Sequence, residues 1–146
     1  MEYEIIILTL GVIASISYLI KTRNTFSTII IAIQVLSLGL ALFENPTFGY
    51  YMFGFAIILS MLYPVVYKEA NTLNRQLIWI FLFPILIVFV FGVLHLPGYS
   101  YGRLAMLIPL TVFIYALMNK NKFKYEIGFM ILFVADALIK FIGLFN

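Results

Sequence analysis

The 146-residue chain is 64% hydrophobic and 10% charged, with a mean hydropathy of +1.11 and a formal net charge of +3. A soluble domain uses about 25% charged residues to cover its surface, so these proportions exclude a soluble fold and point to a single membrane-embedded domain. Cysteine is absent, which removes disulfides and thiolate chemistry, and the 15 Phe and 10 Tyr suit a surface that meets lipid and headgroups.

The chain opens on the acidic Met1-Glu2-Tyr3-Glu4, and Lys21 and Arg23 follow the first apolar run. A secretory signal has the reverse order, with a basic region first and a small-residue cleavage site after. The run Ile5–Ile20 is therefore expected to be a retained first span. Five further apolar runs follow: Phe26–Phe43, Phe48–Tyr67, Leu77–His95, Tyr101–Met118 and Ile127–Phe145. Each has close to the ~20 residues that cross a hydrocarbon core as a helix. None alternates apolar with polar residues as a barrel strand does. The predicted fold is an all-α, polytopic bundle of six short transmembrane helices.

The breaks between the runs are short, and their charges are uneven. Lys21 and Arg23 fall in the first break, Lys68 and Arg75 in the third, and Lys120, Lys122 and Lys124 in the fifth. The second and fourth breaks hold no Lys or Arg. Basic residues in short loops mark the cytoplasmic face, so both termini of the chain are expected on the outer side of a cell membrane. This placement explains the positive charge without a nucleic-acid partner. Tyr51-x-x-Gly54-Phe55-x-Ile57-Ile58 is echoed by Tyr125-x-x-Gly128-Phe129-x-Ile131-Leu132. Two inverted units of three spans, as in some transporters, would produce such an echo, as would chance likeness between Phe-rich helices.

Polar groups inside the spans narrow the search for a site. Asp136 lies roughly 16 Å beyond Tyr125 along a helix, a depth where an unpaired acid costs about 2.5–3.5 kcal/mol. Lys140 follows one turn later on the same face, and Gly143 continues that face. Asp136 is thus a candidate general acid or base with Lys140 as its partner, or the two form a pair that locks helix packing. Gln34 is expected level with Asp136, and Pro84 and Pro109 should kink the fourth and fifth spans. Glu44, His95 and Arg103 cluster at the outward ends and could line a vestibule for an anionic headgroup, since Arg grips phosphate on two edges. No set of residues suggests a metal, and no cofactor is expected. The natural ligands of so apolar a chain are membrane lipids or partner helices.

The segment Gly128-Phe129-Met130-Ile131-Leu132-Phe133-Val134-Ala135-Asp136 resembles the Gly…Phe-x-x-Ser-Asp helix of the YhhN (lysoplasmalogenase-like) membrane family. Gly54 to Tyr63, with Leu59-Ser60-Met61-Leu62-Tyr63, is similar to that family's Gly…His…Tyr helix. Ala135 and Met61 stand where the family has Ser and His, and no second span holds an Asp. The resemblance implies a lipid-directed hydrolase with Asp136 in its active site. Beside it stand two other expectations: an accessory or scaffold protein built around Asp136 and Lys140, and a small transporter or channel subunit.

Overall fold

A computed structural model describes residues 2–43, 45–66 and 72–145, all of whose regular structure is helical. The elements are α1 (Glu2–Thr22), α2 (Thr25–Phe43), α3 (Pro46–Val66), α4 (Thr72–Val93), α5 (Tyr99–Gly102), a 3-10 turn (Arg103–Met106), α6 (Leu107–Met118) and α7 (Ile127–Ile142). Five helical stretches are long and apolar enough to cross a membrane, the fifth running from Tyr99 to Met118 through the 3-10 turn. The sixth, α7, is shorter. Its last residues continue as turns, with Leu144 and Phe145 N–H groups donating to Phe141 and Ile142 carbonyls.

Local chemistry sets the boundaries. Asn24 and Asn45 cap the starts of α2 and α3, their side-chain oxygens accepting the N–H groups of Ser27 (2.9 Å) and Phe48 (3.1 Å). Pro46 takes the first helical position of α3, where its missing N–H costs nothing. Two helices end on residues in the left-handed conformation: Arg23 after α1 and His95 after α4, both at φ 50°. At His95 the bonds from Leu96 N–H to Phe91 O and from His95 N–H to Gly92 O make a Schellman ending. The fifth span is broken because Pro109 cannot donate to the carbonyl one turn back, and the chain winds as 3-10 just before it.

Consecutive helices run up and down, and α7 lies at the centre, packed on α1, α2 and α6. Small residues let the backbones approach, the mode expected where lipid offers no hydrophobic drive between helices. Among the described residues of α1, Gly11 and Ser15, one turn apart, are the buried ones. Gly11 faces Ala135, and the Ser15 hydroxyl donates to Gly128 O. At the α2–α3 hairpin, a Cβ on Gly49 would stand 2.5 Å from the Ala41 nitrogen. An aromatic column fills the interior: Phe26 and Phe129 flank Tyr63, and Phe133 packs edge-on against Phe53, Phe81 and Phe129. The phenylalanines are therefore divided. Phe53, Phe81, Phe123, Phe129 and Phe133 are core, whereas Phe43, Phe48, Phe55, Phe83 and Phe145 remain on the outer surface.

The outer surface has the character of a lipid-facing one. Leu, Ile, Val and Phe side chains stand exposed along α1 through α6. Exposed hydroxyls turn back on their own helices: Thr9 donates to Ile5 O, Ser17 to Ile13 O, Thr28 to Asn24 O and Thr111 to Leu107 O. In lipid such groups have no other acceptor. The fold defines a small α-helical membrane bundle. The echo between α3 and α7 is partial: Gly54 and Gly128 are both buried, but Phe55 is exposed where Phe129 is enclosed.

Candidate functional site

The bundle has two chemically distinct ends. The end carrying Lys21, Arg23, Lys120, Lys122 and Lys124 is basic, and those side chains are exposed. Lys68, counted with them in the sequence, lies outside the described residues, as does Glu44, a vestibule candidate. The other end gathers the start of α3, the end of α4, α5 and the end of α7. Here the polar groups converge.

Asp136 and Lys140 sit about two turns and one turn, respectively, before Gly143, which closes α7. Lys140 Nζ donates to Asp136 Oδ2 at 2.6 Å. The helical four-residue spacing places the two side chains on one face, as the sequence requires. Their side chains are 10% (Lys140) and 21% (Asp136) exposed, so the pair is mostly but not wholly withdrawn from the surface. The ammonium also lies 6.0 Å from the Phe53 ring, at the far edge of cation–π range. Tyr50 of α3 is within electrostatic reach of both charges, and Tyr99 of α5 within reach of Lys140. The pair thus belongs to the half of the bundle away from the basic end, level with the first two turns of α3.

Arg103 forms the second part. Its Nη1 donates to Gly143 O at 2.9 Å, tying the 3-10 turn to the end of α7. Its guanidinium lies over the Tyr99 ring, 4.7 Å from the centroid. The Nε donor is buried and has no acceptor. A cation held by a carbonyl on one edge and an aromatic face below keeps its other donors fixed in space.

Tyr50 and Tyr99 join these charges to open space. Two adjoining hollows lie at this end. One, of ≈ 380 Å³, is bordered by Pro46, Thr47, Tyr50, Gly92 and His95. The other, of ≈ 400 Å³, is bordered by Tyr50, Gly92, His95, Leu96 and Tyr99. Tyr50 stacks on Phe89 with centroids 4.7 Å apart. Gly92 is required there: a Cβ would stand 2.8 Å from the Tyr50 hydroxyl. The wall therefore presents two phenols and an imidazole, with Lys140 behind Tyr50 and Arg103 behind Tyr99.

Of the residues picked from sequence, the structure gathers Asp136, Lys140, Arg103 and His95 at one end and leaves Gln34 elsewhere. The Gln34 amide donates to Phe129 O at 3.2 Å. Phe129 precedes Asp136 by seven residues, so Gln34 meets α7 about 10 Å below the acid. Its side chain reaches a backbone carbonyl of the neighbouring helix, which is a packing role, although its Oε1 stays unmatched. Tyr50, Tyr99 and Gly92 escaped notice, since nothing distinguishes two tyrosines among ten without the geometry. The Tyr99-Ser100-Tyr101-Gly102 stretch before Arg103 was their one local signal. Among the described residues no group of three or more His, Asp or Glu side chains is placed to hold a metal ion.

The class that fold and site define is a small multi-pass membrane protein with a polar hollow at one end. Comparison with protein-family models, with curated proteins and with solved structures finds no match to this chain.

Proposed function

We propose that this chain is an accessory protein of the cell membrane that binds the anionic headgroup of a lipid in the hollow between α3, α4 and α5. The observation that carries it is Arg103, whose guanidinium is anchored by Gly143 O and by the ring of Tyr99, a residue of the hollow's wall. Asp136 already neutralises Lys140, so among the described residues the cluster keeps one net positive charge from Arg103, matched to a single phosphodiester. The tyrosine hydroxyls and His95 supply neutral hydrogen bonds around it. Apolar helix faces beside the hollow offer the acyl chains a place to lie. By the distribution of basic residues, the hollow faces outward and the lysine-bearing loops face the cytoplasm.

Native mass spectrometry of the purified protein with phosphatidylglycerol and phosphatidylcholine tests this. The proposal expects preferential retention of phosphatidylglycerol, weakened about 10-fold or more by Arg103→Gln, a loss of one charged hydrogen-bonded contact of roughly 1.5–3 kcal/mol. Equal retention by wild type and variant would contradict it. Hydrolysis, the activity implied by the YhhN resemblance, has its own readout. Release of fatty aldehyde from a lysoplasmalogen, abolished by Asp136→Asn with lipid binding intact, would make the hollow an active site.

A further inference from the structure

A second acid is held out of water at the opposite, basic end, and the headgroup site does not use it. Glu126 immediately precedes α7 and is 4% exposed. Its neighbours Phe123 and Ile127 are fully enclosed. The carboxylate Oε2 accepts the N–H of Tyr125 at 3.1 Å. Among the described residues, no lysine or arginine pairs with it.

The titratable and charged groups around this corner are few. Tyr18 of α1 lies within electrostatic reach of the carboxyl. Tyr115 of α6 packs edge-on against Phe123, with centroids 6.2 Å apart. On α4, Asn74 donates its amide to Lys122 O at 2.9 Å, and Arg75 follows it in the chain. The lysines of the 119–126 loop, Lys120, Lys122 and Lys124, are exposed, and the Lys124 ammonium lies 5.6 Å from the Tyr125 ring. Beyond the α1 end, Lys21 and Arg23 are exposed as well.

A further polar group lies unmatched at the same corner. Ser27 of α2 is 1% exposed, and its hydroxyl has no partner. That oxygen faces Gly128, where a Cβ would meet it at 3.4 Å, two residues beyond Glu126. On the other side, Ser15 of α1 donates to Gly128 O. Three helices thus meet at Gly128, two residues beyond a buried carboxyl that has no cation, and the Ser27 hydroxyl there is unspent. Buried polar groups in this condition take up a proton or a water. Burial without a cation disfavours an ionised carboxylate at such a place, and a metal ion would need further ligands that the described residues do not supply.

We propose that Glu126 is a proton-binding site at the basic end of the bundle. The carboxyl carries its proton while the α1–α2–α7 corner is closed. Burial pushes the carboxyl upward from its ordinary range, and the backbone N–H groups of Glu126 and Tyr125 draw it partly back. The proposal is independent of lipid binding, since it uses none of the same residues.

Infrared titration of the protein in lipid nanodiscs tests it through the C=O stretch of a protonated carboxyl. The band should persist above the pH at which exposed glutamates, with pKa about 4.3, have ionised. It should vanish in Glu126→Gln and survive in Asp136→Asn. A band absent above that range, or one surviving Glu126→Gln, overturns the proposal. Should Glu126→Gln not fold, side-chain carbon-13 labelling of glutamate in the unmodified protein decides the matter. One glutamate carboxyl must then titrate above the others, and a set that titrates together overturns the proposal.

Discussion

At Asp136 and Lys140, two opposed effects share one face of α7. Withdrawing the charges from water is costly, and their mutual hydrogen bond offsets that cost only while both are present. Lys140→Met should therefore destabilise the protein by about 3–5 kcal/mol, at the lower end because Asp136 retains some exposure. Adding Asp136→Asn should recover most of the loss, which thermal unfolding in detergent would read as a double-mutant cycle. His95 poses a different problem, since φ 50° is unfavourable for a residue with a Cβ. His95→Gly should raise stability by about 1 kcal/mol in the same assay. If lipid retention falls at the same time, the histidine is kept for its imidazole in the hollow wall. Glu126 gives the pH dependence a definite sign. Its carboxyl is raised in the folded chain, so the folded state holds the proton more tightly than the unfolded one. Stability is fully present below the ordinary carboxyl range and falls as pH rises through the folded value. Glu126→Gln should flatten that fall. The Asp136–Lys140 pairing was legible because it depends only on a four-residue spacing. The Arg103–Gly143 tie spans forty residues of chain and was not, and the same is true of Glu126, whose burial comes from a loop folding over it.

Among the elements, α2 and α3 make the tightest contact, and glycine permits it. Gly49→Val would place a Cβ and two methyls against the Ala41 and Ser37 backbone, where nothing flexible can yield. We expect loss of the folded protein in a detergent-stability assay, whereas Gly39→Val, at a site with open space, should be tolerated. Pro109→Ala should let the 3-10 turn relax toward regular helix, rotating Arg103 relative to Gly143 and Tyr99. The apolar runs located the helices well because hydropathy and length are local properties. The ends were less legible: α4 starts at Thr72, ahead of the apolar run from Leu77, and stops at Val93. The polar residues Asn74 and Arg75 continue the helix, and the Schellman ending at His95 terminates it within apolar sequence. Gln34 was misplaced for a related reason. Depth counted along one helix assumes that all helices begin level, and α7 does not.

For the whole molecule, a basic end and a polar hollow are separated by an aromatic core and an apolar girdle. The girdle follows from composition, and so was readable from the first. Which of the phenylalanines would face lipid and which would fill the core was not, because a helix that is apolar all round carries no periodic mark of its buried face. Six crossings put the lysine-bearing loops and the proposed headgroup hollow on opposite faces of the membrane. The absence of cysteine from the sequence makes that directly measurable. Single cysteines at Asn45 and Leu96 on one side, and at Asn24 and Asn121 on the other, can be labelled in intact cells with a thiol reagent that does not cross the membrane. The account predicts labelling of the first two and protection of the second two until the cells are opened. Labelling of Asn45→Cys and Asn121→Cys from the same side would contradict it.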